Sequence, residues 1–183
     1  LFAVSLGTSQ GISAGFFQLI THTLSKSILF LSSGYMIVKA GSMDMENMIG
    51  MGKRMPVSSL SFTIGAFSLV GLPPFIGFPS KFLIVKAAIA KGDVLSIVLI
   101  ILVLLGTVIE AAYFFRAVQT LYFKGDSSSI QREEAPAIAL IPLLLLIVSI
   151  IGIGVYPHFL TGFLNKVSSE LLNRIAFIRG ILG

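Results

Sequence analysis

Four apolar stretches divide this chain, at about residues 12–38, 57–90, 94–123 and 136–155. A hydrocarbon core about 30 Å thick is crossed by roughly 20 helical residues, so each stretch is long enough to span it. The remainder of the sequence offers no escape from that reading. Only 11% of the residues are charged, against about 25% in soluble domains, so the polar surface of a soluble fold cannot be assembled. The net charge of +5 sits in loops and tail, which fits a membrane protein better than a nucleic-acid binder. There are no cysteines, so neither a disulfide framework nor a thiolate metal site is available. The expectation is an all-α, polytopic transmembrane helix bundle over residues 1–157, followed by an amphipathic C-terminal segment over 158–183, in the cell (cytoplasmic or inner) membrane.

Punctuation refines this. The apolar run at residues 1–6 lacks a charged n-region and a cleavage site, so it is not a signal peptide. It reads as the end of a helix whose beginning is missing, as in a fragment of a longer polypeptide or a truncated paralogue. The second long stretch is interrupted by Gly71, Pro73, Pro74, Gly77 and Pro79. Adjacent prolines remove backbone donors and clash with the preceding turn, which predicts a broken helix. Beyond His158, residues Phe159, Leu160, Phe163, Leu164, Val167, Leu171 and Leu172 recur mostly three or four apart, as on a helix lying at the membrane surface or against a partner. Lys39, Lys53, Arg54, Lys124 and Arg132 fall in two loops on one side, and Lys91 on the other. The basic excess places the first two loops in the cytoplasm, although Lys166, Arg174 and Arg179 count against that orientation.

Ionisable residues inside the apolar stretches are the functional candidates. A lysine at a helix centre costs about 2.5–3.5 kcal/mol on insertion scales and marks a protein interior, a polar partner or a wet path. Lys26 is such a residue, and His22 shares its face at i, i+4 spacing. With Gln18, Thr21 and Ser25 they suit a proton relay, because histidine titrates near neutrality; a static helix–helix contact is the alternative. Lys81 follows the break by two residues. Irregular backbone at membrane depth is tolerated only in protein or beside a wet cavity, and half-helix ends beside an ionisable group recur at transporter ion sites. An ordinary bend with Lys81 snorkelling is the competing reading, although Lys86 is better placed to snorkel. Glu110 lies deep in the third stretch, where it can meet Lys81 or Lys26 across the bundle, as a functional group or as a structural ion pair. His158 reads as an interfacial histidine, and Asp44 and Glu46 as a solvated loop. No nucleotide-binding glycine loop, metal cluster or enzyme site is legible.

The segment from Gln18 to Gly34, QLITHTLSKSILFLSSG, resembles a helix motif in the second repeat of the antiporter-like subunits of respiratory complex I, Mrp-type sodium/proton antiporters and membrane-bound hydrogenases. The segment GLPPFIGFPSKF at 71–82 is similar to that family's second broken helix, and the order and spacing of the motifs also fit. The resemblance implies part of an inverted-repeat antiporter-like fold of about fourteen helices, of which this chain covers most of the second repeat and the last helix. It implies that Lys81 is the ionisable residue of the broken helix near the half-channel exit, and that Lys26 and His22 are central relay positions. Gln18 stands where the family often has a second histidine, and Glu110 matches no family motif. The implied function is translocation of protons, with sodium as the alternative ion, by a subunit that holds no cofactor itself and works beside other membrane subunits. A non-conducting structural or assembly subunit and an unrelated secondary carrier are the alternatives.

Overall fold

A computed structural model of the chain describes residues 1–123 and 132–182, with side chains up to residue 174. Lys124 and the side chain of Arg179 lie outside the described residues. Every regular element among the described residues is a helix: α1 (Phe2–Ser5), α2 (Ser9–Ala40), a 3-10 turn (Met45–Met48), α3 (Met51–Arg54), α4 (Pro56–Val70), α5 (Gly77–Lys91), α6 (Val94–Phe123), α7 (Ala137–Val155) and α8 (His158–Leu182).

Local chemistry sets these boundaries. The Thr8 hydroxyl accepts the Gly11 N–H at 3.0 Å and caps the start of α2, which satisfies one of the donors a helix leaves unpaired. Pro56 occupies the first turn of α4, where its missing N–H costs nothing. At the other end Gly71 adopts φ of +87°. Its N–H reaches Ser68 O at 3.1 Å while the Leu72 N–H reaches Phe67 O at 3.0 Å. This paired closure of the last turn needs a left-handed residue, which glycine supplies without strain. The Pro73–Pro74 bond is cis, and α5 begins at Gly77, so the second apolar stretch is two half-helices. Asp93 starts α6 by accepting the Ser96 N–H at 3.2 Å and the Ser96 hydroxyl at 2.6 Å.

In lipid there is little hydrophobic drive between helices, and small residues and interhelical hydrogen bonds take its place. Here α2 is the central element, packed against α4, α5, α7 and α8. Phe17 and Ile28 of α2 meet Ile64, Ile76, Leu143, Ile150 and Leu164 in one cluster. The hydroxyls of Ser25 and Ser68 share a buried hydrogen bond of 2.7 Å, and Ser80 donates to the Gln18 side-chain oxygen. A Cβ on Gly77 would collide with the Ser68 carbonyl, and one on Gly154 with the Pro74 carbonyl. The break can therefore fold tightly against its own first half and against α7, whose Ile150 carbonyl accepts the Ile76 N–H at 3.1 Å.

Among the described residues, two helices are both long and apolar enough to cross a membrane, α6 and α7. Their exposed faces carry Leu102, Leu105, Ile109, Leu145 and Val148, an apolar surface suited to lipid. With 32 residues, α2 is about 48 Å long, but its buried polar seam lowers its mean hydropathy. Helix α8 packs on α2, with Leu164 in the Phe17 and Ile28 cluster and Ser168 buried, so the amphipathic face at 158–174 is turned partly into this chain.

Candidate functional site

The break places Lys81 where three helices meet. Its ammonium donates to the carbonyl oxygen of Val70 at 2.9 Å and to the Thr107 hydroxyl at 3.2 Å, and lies 3.7 Å from Glu110 Oε2. Val70 ends α4, Lys81 is in the second turn of α5, and Thr107 and Glu110 share a face of α6 at i, i+3 spacing. The carbonyls at a helix C-terminus are unpaired and carry the negative end of the macrodipole. A lysine side chain is suited to that end on both counts. The side chain of Lys81 is only 19% exposed and that of Glu110 36%. Of the two partners that the sequence offers Glu110, the structure brings it to Lys81.

Lys26 and His22 stand apart from this group. Lys26 is half-buried and lines a cavity of about 330 Å³ with Ser33, Met36, Phe62, Tyr113 and Phe114. Its ammonium lies 6.0 Å from the Phe30 ring centroid, and it forms no ion pair among the described residues. Tyr113 and Phe114 are one turn beyond Glu110 on α6, so this cavity begins one turn from the Lys81–Glu110 pair. His22 projects from an exposed face of α2. A different face of α2, bearing Gln18, Thr21 and Ser25, is the one turned to the broken helix. There the Thr21 hydroxyl is buried without a hydrogen-bond partner among the described residues. Arg116 and His158 are exposed.

A second charged group fastens the opposite end of α4. Glu134 Oε2 accepts the Val57 N–H at 2.7 Å, and Oε1 accepts the Ser58 hydroxyl at 2.6 Å. Glu133 accepts from Arg54 and lies 3.9 Å from the Lys39 ammonium. The hydrogen bond from Arg54, its charge and then that of Lys39 hold the Glu133 carboxyl below the usual carboxylate range. These contacts put the loop after α2 and the segment before α7 at the same end of the bundle. They also tie α7 to α4 at its start, as Ile150 and Ile76 tie it at the break. Sequence reasoning missed both glutamates, because their hydrogen-bond partners lie 76–79 residues away; Pro56 and Val57 marked the helix start, but not what caps it.

Comparison with known proteins agrees with this architecture. Residues 1–110 match the family described as NADH:quinone oxidoreductase/Mrp antiporter, transmembrane. Subunit L of the F(420)H(2) dehydrogenase of Methanosarcina mazei is 31% identical over 94% of this chain and 27% of its own length. A chain of the membrane-bound sulfane sulfur reductase, an archaeal respiratory membrane complex, is 42% identical and superposes with a TM-score of 0.79 over 89% of this chain and 32% of that one. A chain of respiratory complex I from Thermus thermophilus has the same fold, with a TM-score of 0.80 and 23% identity over 94% of this chain and 36% of that one. This chain spans about a third of the length of the relatives it matches. It is a multi-pass membrane protein, all-helical and antiporter-like in fold, and it belongs to the NADH:quinone oxidoreductase/Mrp antiporter transmembrane family.

Proposed function

We propose that this chain is the ion-translocating part of an antiporter-like subunit in a multisubunit membrane complex, and that the ion it moves is the proton. The observation that carries the proposal is the setting of Lys81, held at the break of a discontinuous helix by a helix-end carbonyl and faced by a carboxylate. In relatives the corresponding complexes are named for respiratory oxidoreductases and antiporters, and the partners proposed here are other membrane subunits of such a complex, within the bilayer.

The Lys81–Glu110 pair supplies a defined step. Moving one proton from Nζ to Oε2 converts ammonium and carboxylate into amine and carboxylic acid, leaving the pair's net charge unchanged. A proton arriving from one side or leaving to the other changes that charge by one. At 3.7 Å the two atoms are beyond the 2.7–3.2 Å of a direct N–H···O bond, so the hop needs a small closure or one bridging water. Lys26 lies on the input side of this scheme, reaching Glu110 through the cavity bounded by Tyr113 and Phe114. His22, on the outer face of α2, exchanges protons with groups beyond that face. A charge at one site alters the proton affinity of the next, which couples the steps. The chain itself supplies no redox centre to this scheme; electrons, where the complex uses them, belong to partner subunits.

The test is gradient formation by the intact complex in sealed vesicles, read with pH- and sodium-sensitive dyes for wild type, Lys81→Ala and Lys26→Ala, with assembly followed on a native gel. The proposal expects both variants to assemble and to lose the pH gradient. Assembly loss at wild-type flux per assembled complex points instead to a structural subunit. A sodium gradient lost in place of the proton gradient reassigns the ion.

A further inference from the structure

Inside helices, threonine hydroxyls can settle their proton on the carbonyl one turn back. Thr23, Thr63, Thr107 and Thr120 all do so here, at 2.8–3.1 Å. Thr21 does not. It is 1% exposed, and its hydroxyl oxygen is buried with no hydrogen-bond partner among the described residues. Its surroundings are polar. Gln18 lies three residues before it and Ser25 four after, so the three share one side of α2. Gln18 accepts from Ser80 in the first turn of α5, and Ser25 is bonded to Ser68 in the last turn of α4. Thr21 therefore sits between two cross-links, one to each half of the broken helix. The halves meet closely there, since a Cβ on Gly77 would strike the Ser68 carbonyl. Proton accounting leaves donors over. Ser25 and Ser68 share one bond of 2.7 Å, which uses one of their two hydroxyl protons, and neither hydroxyl makes another bond among the described residues. The Thr21 proton is unspent as well.

We propose that one buried water molecule binds at Thr21, accepting from Thr21 and from the spare hydroxyl of the Ser25–Ser68 pair and donating to Ser80. Ser80 spends its proton on Gln18, which leaves its oxygen able to accept. Three partners is the usual complement of a buried water, and buried polar groups are normally satisfied. A metal cation suits the same place poorly. It would draw on oxygen lone pairs, whereas this seam has protons to give, and a buried charge needs a counter-charge. Glu110, the carboxylate at the break, faces Lys81 from α6 instead. Ser25, Ser68 and Ser80 are each 0% exposed, so close packing leaves no room for a ligand much larger than water. Through these partners the water links α2 to both half-helices. The break is then held from two sides, by Lys81 towards α6 and by this water towards α2. The inference does not depend on which ion the chain moves.

The experiment takes the intact complex, images wild type by cryo-electron microscopy at a resolution that shows buried water, and compares the melting temperatures of wild type, Thr21→Val and Thr21→Ser. Valine matches threonine in shape but has no hydroxyl. A hydroxyl buried with no partner is a burden, so its removal raises the melting temperature or leaves it unchanged. A hydroxyl that holds a water is needed, and its removal strands the water and the spare Ser25–Ser68 proton. The expected result is a density peak within hydrogen-bond distance of the Thr21 oxygen, a Thr21→Val complex that melts below wild type, and a Thr21→Ser complex close to wild type. No peak at Thr21 in a map that shows other buried waters overturns the proposal, as does a Thr21→Val complex that melts at or above wild type. A peak ringed by oxygens at metal-ligand distance makes the ligand a cation and overturns water as its identity. Where Thr21→Val fails to assemble, the wild-type map decides alone.

Discussion

The carbonyl oxygen of Val70, the last residue of α4, accepts a hydrogen bond at 2.9 Å from the side-chain ammonium of Lys81 in α5. One bond thereby closes the gap that Pro73 and Pro74 open, and it does so with an ionisable group. The same lysine that satisfies the broken backbone faces Glu110. The proposed mechanism joins a structural and a chemical role in this one side chain, and the variants that separate them are the informative ones.

Lys81→Ala leaves the Val70 carbonyl without its side-chain donor. Leaving a buried acceptor unsatisfied costs about 1–3 kcal/mol, so the purified complex should melt at a lower temperature. Lys81→Arg retains a donor and should recover most of that loss. A melting temperature unchanged in Lys81→Ala contradicts the assigned bond.

Glu110→Gln removes the charge across from Lys81 but leaves the bonds to Val70 and Thr107. Proton flux should fall at least tenfold, with assembly and melting temperature near wild type. Thr107→Val removes only a neutral partner and should lower flux severalfold less. Dye-reported flux per assembled complex distinguishes these outcomes, and equal flux in Glu110→Gln and wild type removes Glu110 from the path.

Gly152 and Gly154 stand two residues apart on α7 yet should differ sharply. A Cβ on Gly152 meets nothing within 4 Å, whereas one on Gly154 runs into the backbone of Pro74, Phe75 and Ile76. Gly152→Ala should be neutral or stabilising, by up to about 1 kcal/mol from helix propensity. Gly154→Ala should destabilise by about 1–3 kcal/mol or more, because backbone must shift. Thermal midpoints in detergent compare them.

The Glu133 group predicts a pH dependence with a definite sign. Arg54 and Lys39 depress its carboxyl in the folded chain, so the ion pairs contribute their stability above the ordinary carboxylate value of 4.5. That contribution is lost as pH falls below 4.5 and the folded-state carboxyl takes up its proton. The difference in melting temperature between wild type and Glu133→Gln should be flat from neutral pH down to that value and should close on further acidification. A difference that closes on raising the pH contradicts the assignment.

Much of this architecture is legible in the sequence because its strongest signals are local. Adjacent prolines between glycines break a helix wherever they fall, and a 30-residue apolar run such as α6 has few alternatives to crossing a membrane. The candidacy of Lys81 follows from a charge beside that break. What a sequence withholds is the tertiary choice among equivalent partners. Glu110 can face either Lys81 or Lys26 by depth alone, and the i, i+3 placement of Thr107 on α6 settles the pairing only once α6 is docked. Thr21 and Ser25 sit on the buried side of α2 with Gln18 at its edge, while His22 and Lys26, each the next residue after one of the first two, turn about 100° away from them. Grouping all five as one relay followed their proximity along the chain, and the packing divides them. The cap on α4 was hidden for the same reason, since Glu134 comes from a distant segment.

The central claim is that ions pass by way of Lys81. Its most direct test is the number of charges moved per turnover of the driving reaction, measured in sealed vesicles for the intact complex carrying Lys81→Gln. Glutamine keeps a donor for the Val70 carbonyl but cannot carry a proton as lysine does. A path through Lys81 predicts a lower ratio of charges to turnovers in fully assembled complexes. A ratio equal to that of wild type, with assembly intact, would show that ions do not travel by this lysine.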